Sequence, residues 1–246
     1  MNGGSILAMA GKECVAVAVD KRFGSGSQMI TLAPRQVLTP HSHLLVGFTG
    51  LEGDVQTLYQ ELDLQVQSKL GRSLGFSIPN IDAESSSFPK MHKLISPKAM
   101  ASLTSHILYG RRGAPYYVEP IIVGLMPSKT TAMPVSSSSS TSTSSSTQIT
   151  SDAKTTMSPF LCGMDLIGAQ SYSDAFVVGG TASKSLYGTA EALWEPGLEP
   201  EDLARVCGMA FQSALERDCL SGYGTIVYVL TKDRGILQYE LANRND

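Results

Sequence analysis

Hydrophobic positions fall into two patterns along this chain, and their order predicts the architecture. The first pattern is a short, unbroken apolar run. Residues 14–19 (Cys-Val-Ala-Val-Ala-Val) contain no polar residue, and a strand without polar alternation is covered on both faces. The stretch before it, from Gly3-Gly4-Ser5 to Met9, is also largely apolar, and Ala10-Gly11-Lys12-Glu13 forms a turn between the two. The pair is expected to be a buried hairpin whose first residues lie near Asp20, where the second run ends in Asp20-Lys21-Arg22. Similar runs at 44–50, 116–125, 160–165, 176–180, 225–230 and 235–241 predict further strands. Shorter strands are expected at 28–32 and 36–38 around Pro34, after a glycine-rich turn at 23–27.

The second pattern has helical spacing. Val55, Leu58, Tyr59, Leu62, Val66 and Leu70 make one apolar face, with Asp54 placed to suit the dipole of the helix start. Ser96-Pro97 caps a second helix that carries Met100, Leu103, Ile107 and Leu108 and ends near Gly110. Leu186, Tyr187, Ala190, Leu193 and Trp194 line a third, closed by Pro196-Gly197. Pro200 opens a fourth, with Leu203, Val206, Ala210, Phe211, Ala214 and Leu215 as its face. Strands therefore come as hairpins and helices as pairs, which argues against an alternating, doubly wound parallel sheet. The expected fold class is α+β: two packed antiparallel sheets between helix pairs, a four-layer αββα sandwich in one domain spanning 1–246. Two stretches interrupt it. Residues 71–90 read as a polar loop insertion, and 126–158 as a Ser/Thr-rich insertion in which 136–147 are only serine and threonine. The second is expected to be disordered, because it offers too little apolar surface to offset chain entropy.

Composition narrows the function classes. The 246 residues are 42% hydrophobic and 17% charged, enough for a sizeable core. A net charge of −3 without a basic run gives no nucleic-acid signal. The four cysteines (Cys14, Cys162, Cys207, Cys219) show no C-x-x-C spacing, which favours buried thiols in a reducing compartment over disulfides or zinc. No signal-like segment or membrane-length run is apparent, so a cytoplasmic or nuclear location is expected. His41 and His43 lack nearby carboxylate or thiol partners and are expected to be solvated loop residues. Neither a cofactor nor a metal is implied. Gly179-Gly180-Thr181 lacks the lysine of a P-loop, and H-E-x-x-H, G-x-S-x-G and EF-hand patterns are missing.

What stands out is a constellation. Val19-Asp20-Lys21-Arg22-Phe23-Gly24, Gly47-Phe48-Thr49-Gly50 with Asp54 beyond it, and Arg217-Asp218-x-x-Ser221-Gly222 resemble the signature blocks of proteasome beta subunits, which are N-terminal-nucleophile hydrolases. Asn2-Gly3-Gly4, Asp54-Val55-Gln56-Thr57, Pro115-Tyr116-Tyr117-Val118-Glu119-Pro120, Met164-Asp165-Leu166-Ile167-Gly168 and Leu193-Trp194-Glu195-Pro196 extend the resemblance over almost all of the chain outside the insertions. The alpha-type subunits carry a helix before the first strand; this sequence shows none, so it resembles the beta class.

The resemblance implies a site. Active members expose a terminal threonine whose hydroxyl attacks the peptide carbonyl while its own amine serves as base. A lysine, an aspartate and an oxyanion glycine support it. Counted from Asp20 without a gap, Gly4 falls at the nucleophile and Gln36 at the lysine, while Asp20, Gly50, Asp218 and Ser221 match supporting positions. Gly180 falls where active members have a supporting serine. The site is expected to be degenerate, with no catalytic residue. The implied function is then that of a non-catalytic subunit of the 20S proteasome core, serving ATP- and ubiquitin-dependent protein degradation. Its partners would be beta subunits of the same and the opposite seven-membered ring and subunits of the alpha ring, with neither nucleic acid nor membrane. Asp165, with Cys162 near it, matches a position facing a neighbour's substrate pocket; its other reading is a strand-end residue capping a turn. Three rivals remain. Ser5 could become the terminal nucleophile after processing at Gly4-Ser5, the protein could act alone as an amidase or peptidase, or the serine-rich insertion could make it a docking scaffold.

Overall fold

A computed structural model describes residues 2–26, 28–32, 37–73, 95–128 and 156–242. The two opening runs pair as β1 (Ser5–Ala10) and β2 (Cys14–Asp20), antiparallel, with Ile6 opposite Val19 and Ala10 opposite Val15. Every residue of both strands is buried. Side chains alternate across a strand, and each face of this hairpin has its own cover. Ile6, Ala8, Ala10, Val15, Val17 and Val19 join one apolar cluster. Leu7, Met9, Cys14, Ala16 and Ala18 join another.

The chain continues as β3 (Arg22–Ser25), β4 (Gln28–Leu32), β5 (Val37–His41), β6 (Leu44–Gly50), α1 (Glu52–Ser73) and α2 (Pro97–Gly110). Then come β7 (Val118–Pro127), β8 (Met157–Met164), β9 (Gln170–Tyr172), β10 (Phe176–Gly180), α3 (Ser183–Leu193), α4 (Pro200–Leu215), β11 (Thr225–Thr231) and β12 (Gly235–Leu241). One five-stranded sheet has the order β10-β1-β2-β11-β12, a second β5-β6-β7-β8-β9, and β3-β4 is a separate ribbon. All pairings are antiparallel. One cluster joins α3 and α4 to the first sheet through Leu186, Leu203, Cys207 and Phe211. Another joins α1 and α2 to the second sheet through Leu58, Leu62, Met100 and Leu108. The third brings Ile6, Val17 and Ile226 of the first sheet together with Leu45, Ile121 and Leu161 of the second. The architecture is an α+β sandwich of antiparallel sheets and helices.

Local chemistry sets the helix starts. The Ser96 hydroxyl accepts the Ala99 N–H at 3.2 Å ahead of Pro97, which caps α2. Pro200 with Glu201 and Asp202 opens α4.

Several expectations need correction. Residues 23–25 of the turn expected at 23–27 belong instead to β3; Arg22, 2% exposed, holds them by donating to Leu220 O and Gly26 O at 2.9 Å. Strand β9 was not anticipated. Helix α1 continues to Ser73, and β7 and β8 reach Pro127 and Met157, so these elements extend into the ends expected to belong to the insertions. Residues 74–94 and 129–155 lie outside the described residues, as do Pro34 and Gln36. His41 and His43 are not solvated loop residues. Both are partly buried, His41 Nδ1 accepts the His43 N–H at 3.2 Å, and Nε2 therefore donates to Ile95 O at 2.7 Å. Burial pushes both imidazoles below the ordinary histidine pKa.

Candidate functional site at the end of the opening hairpin

The two sheets leave a gap at one end, where β1 begins, β6 and β10 end, and β7 starts. A pocket of about 590 Å³ opens there. Asn2, Gly3 and Gly4 lead into β1 along one wall, beside Gly180 and Thr181. Thr49, Gly50, Leu51, Tyr117 and Glu119 form the facing wall, with Leu166 from the β8–β9 loop. Register brings these together: Ser5 lies opposite Gly180, and Thr49 opposite Glu119.

Much of the pocket surface is bare backbone. Gly4 has φ +107° and Gly180 φ +91°, in the region that L side chains rarely adopt. A Cβ on Gly180 would stand 2.1 Å from Gly4 O, so the two strands meet there only because that side chain is missing. The Thr181 N–H donates to Gly4 O at 3.1 Å, which fixes the start of β1 against the end of β10.

Below this surface lies a buried polar network. Asp20 is fully buried, accepting the Ser5 N–H at 3.1 Å and the Gly222 N–H at 3.3 Å. The Ser5 hydroxyl is also fully buried; it donates to Ser221 Oγ at 3.1 Å and accepts the Ala182 N–H at 2.9 Å. Ser221 in turn donates to Asp218 Oδ2. Thr181 Oγ1 donates to the same oxygen at 2.6 Å, and the Leu220 N–H donates to Oδ1 at 3.2 Å. Ser5 thus sits on the α3 side of β1 and supplies an acceptor at the start of α3, where Ala182 offers no side-chain cap.

This arrangement holds the start of β1 through buried hydrogen bonds. Nucleophilic hydroxyls need an adjacent amine or imidazole base and an open approach. Ser5 has a second hydroxyl and then a carboxylate beyond it, and is 0% exposed. Gly4, which does line the pocket, has no side chain to react.

The sequence model of the family described as "Proteasome: Proteasome subunit" matches residues 1–73 and 147–230. The chain belongs to the proteasome subunit family. Among its relatives, a Drosophila melanogaster protein named proteasome subunit beta type-3 is 33% identical over 245 residues, covering 100% of this chain and 97% of its own length. A Schizosaccharomyces pombe protein named probable proteasome subunit beta type-3 is 35% identical over 235 residues, covering 96% and 93%. An Arabidopsis thaliana protein named proteasome subunit beta type-3-B is 36% identical over 235 residues, covering 94% and 90%.

Within this proteasome-family chain, the expected site residues do not all come together. Gly4, Gly50 and Gly180 lie together at the pocket, and Asp20, Asp218 and Ser221 lie beneath it. Gln36 is outside the described residues. Asp165 follows β8 and its Oδ1 accepts the Ile167 and Ala169 N–H groups at 3.0 and 2.7 Å, a turn-capping role. Cys162 is fully buried and its thiol, pushed up to about 11 by burial, belongs to the cluster under α1 and α2, so it lines no surface of this chain. Two residues of the site went unnoticed in the sequence. Thr181, next to Gly180, is the hydroxyl that reaches Asp218. Glu119 reaches from β7 to the first sheet, its Oε2 accepting the Gly180 N–H at 3.4 Å. A charged residue at the head of an apolar run was the available signal for Glu119.

Proposed function

We propose that the chain is a non-catalytic beta-type subunit of the 20S proteasome core that acts through assembly. The observation that carries this reading is the start of β1. Counted from Asp20, Gly4 falls at the nucleophile position, and the hydroxyl next to it in sequence, on Ser5, is buried and committed to Ser221 and Ala182. Gln36 at the lysine position supports the same conclusion from sequence. Asp20, Asp218 and Ser221 then serve as structural hydrogen-bonding groups.

The three apolar clusters support an αββα order, one domain with a helix pair outside each sheet. In this reading the sandwich packs beside other beta subunits in a seven-membered ring, against the opposite beta ring and an alpha ring, in the cytoplasm and nucleus. The β8–β9 loop, carrying Asp165 and the exposed Ile167, is the segment offered to a neighbour's substrate pocket. Processing to a Ser5 terminus is disfavoured because Ser5 faces α3 and does not line the pocket.

Size-exclusion chromatography of native extract combined with intact-mass measurement tests this. The chain is expected in a particle of several hundred kilodaltons with its Gly3-Gly4-Ser5 segment intact. A monomer would overturn the assembly reading. Loss of residues 1–4 would overturn the non-catalytic one.

A further inference from the structure

Only three of the 12 prolines in the sequence follow a hydroxyl residue, as Thr39-Pro40, Ser96-Pro97 and Ser158-Pro159. They are far apart along the chain, yet the fold gathers them at one end of the second sheet. It is the end away from the pocket: β7 starts beside that pocket and runs to Pro127 at the far side. Gly124 marks the meeting point. Leu44 and Phe160 lie opposite it on the two flanking strands, and His41 lies opposite Leu44. Pro97 packs on Gly124 so closely that a Cβ there would stand 2.4 Å from its Cγ. The Leu125 N–H donates to His43 O at 3.0 Å, and His41 Nε2 donates to O of Ile95, the residue before Ser96. Thr39 is two residues from His41, and Ser158 is two from Phe160. Strand spacing and rise therefore put Thr39 and Ser158 about 20 Å apart, with Ser96 between them on the helix side.

All three hydroxyl residues are exposed and extended. Thr39 lies in β5, an edge strand. Ser158 lies in the part of β8 that β9 does not reach, since β9 pairs only with Cys162–Met164. Met157 turns its N–H away from β7 to Glu13 Oε1, and Pro159 stands in the same phase, so its missing N–H faces the uncovered side and costs no ladder bond. Ser96 has φ −73° and ψ 151°. An extended, exposed hydroxyl followed by proline is the form that a proline-directed protein kinase accepts. A cleft offering no acceptor to the next backbone N–H takes proline and penalises other residues.

We propose that this end of the sandwich is a phosphorylation surface, on which a proline-directed protein kinase modifies Thr39, Ser96 and Ser158. In each transfer the side-chain oxygen attacks the γ-phosphorus of a nucleoside triphosphate. The new O–P bond forms as the β–γ bridging P–O bond breaks, the nucleoside diphosphate leaves, and the hydroxyl proton passes to the kinase's base. Ser96 gives the mark a structural consequence. Its Oγ caps the Ala99 N–H, and the first turn of α2 holds Lys98 and no acidic residue. A phosphate there adds acceptor oxygens and negative charge at the positive end of the helix.

The test maps phosphate by peptide mass spectrometry in two preparations. One is the chain isolated from its own cells in its native assembly with phosphatase inhibitors; the other is the purified full-length chain treated with a cyclin-dependent kinase and ATP. Phosphate is expected on Thr39, Ser96 and Ser158 in both. Residues 136–147 are an internal control, because all are serine or threonine and none precedes a proline. Pro159→Ala is expected to cut labelling of Ser158 at least tenfold and to leave Thr39 and Ser96 labelled, which also reports that the variant is folded. Label confined to 136–147, or undiminished label on Ser158 in P159A, would overturn the proline-directed reading. Phosphate on none or only one of the three residues in either preparation would overturn the surface. In a Thr39→Ala, Ser158→Ala double variant, phosphorylation of Ser96 alone is expected to raise the melting temperature by about 1–4 °C; a fall or no change would overturn its role at the start of α2.

Discussion

At the scale of single residues, the start of β1 is shaped by what Gly4 permits. Its φ of +107° is a backbone state that costs a side-chain-bearing residue about 1–3 kcal/mol. Placing a hydroxyl there by Gly4→Thr is therefore expected to cost that much stability, lowering the melting temperature, and to yield no peptidase activity while residues 1–3 precede it, because its amine is then a peptide N–H that cannot serve as base and Gln36 supplies no ammonium. Thermal denaturation with a fluorogenic peptide assay checks both; measurable hydrolysis would show that the glycine alone silences the site. The cysteines make a second residue-scale prediction. Burial pushes Cys14 and Cys207 up to about 12 and Cys162 to about 11, whereas Cys219 is exposed. Alkylation needs the thiolate and access to it. One thiol should therefore react rapidly with iodoacetamide in the native chain, and all four after denaturation; peptide mapping should place the first label on Cys219.

At the scale of elements, the turn joining β5 and β6 carries a pH-dependent contribution. Both imidazoles are lowered by burial, so the folded state favours the neutral form. His41 must be neutral to accept the His43 N–H through Nδ1 while donating to Ile95 O. For a base whose folded pKa is depressed, the unfolded chain binds the proton first as pH falls. The stabilisation is thus complete above about pH 6.5 and declines on acidification through the window below it. Melting temperatures measured from pH 7.5 to 5.0 should fall in that window, and a His41→Asn, His43→Gln double variant should fall less; parallel curves would remove the turn from the explanation. This element also marks where sequence reading reaches its limit. The runs that became β1, β2, β6 and β7 were legible because the middle of each strand is covered on both faces, so that Ser5, Asp20, Thr49 and Glu119, their polar residues, fall only near the strand ends. Strand β4, exposed at all five positions, still lies where the sequence places it, at 28–32, whereas β3 and its anchoring by the Arg22 bond to Leu220 do not show in the sequence. Those features come from contacts distant in sequence, as does the histidine pair's reach to Ile95. The same holds at the site. Gly4, Asp20, Asp218 and Ser221 could be found within local blocks, while Thr181 and Glu119 acquire their partners only when the sheet ends meet.

At the scale of the whole molecule, the open question is whether the loop after β8 shapes another subunit's pocket or only its own turn. Asp165 serves the turn through Oδ1, which accepts two backbone N–H groups. Charge and turn geometry can be separated. Asparagine retains an acceptor oxygen and supports the same kind of turn, so Asp165→Asn removes the charge and keeps the loop. Asp165→Ala removes both, at a cost of about 1–2 kcal/mol for two solvent-accessible bonds. If the carboxylate tunes a neighbouring protease pocket in the assembled particle, both variants should alter hydrolysis of one peptide-substrate class by the same factor, and only the alanine variant should lower the melting temperature of the free chain. If the loop's shape is what the neighbour feels, the asparagine variant should behave as the parent and the alanine variant alone should change. Particles purified with each variant and assayed with peptide substrates of acidic, basic and apolar classes distinguish these outcomes, and unchanged cleavage in both would leave Asp165 with the turn as its whole function.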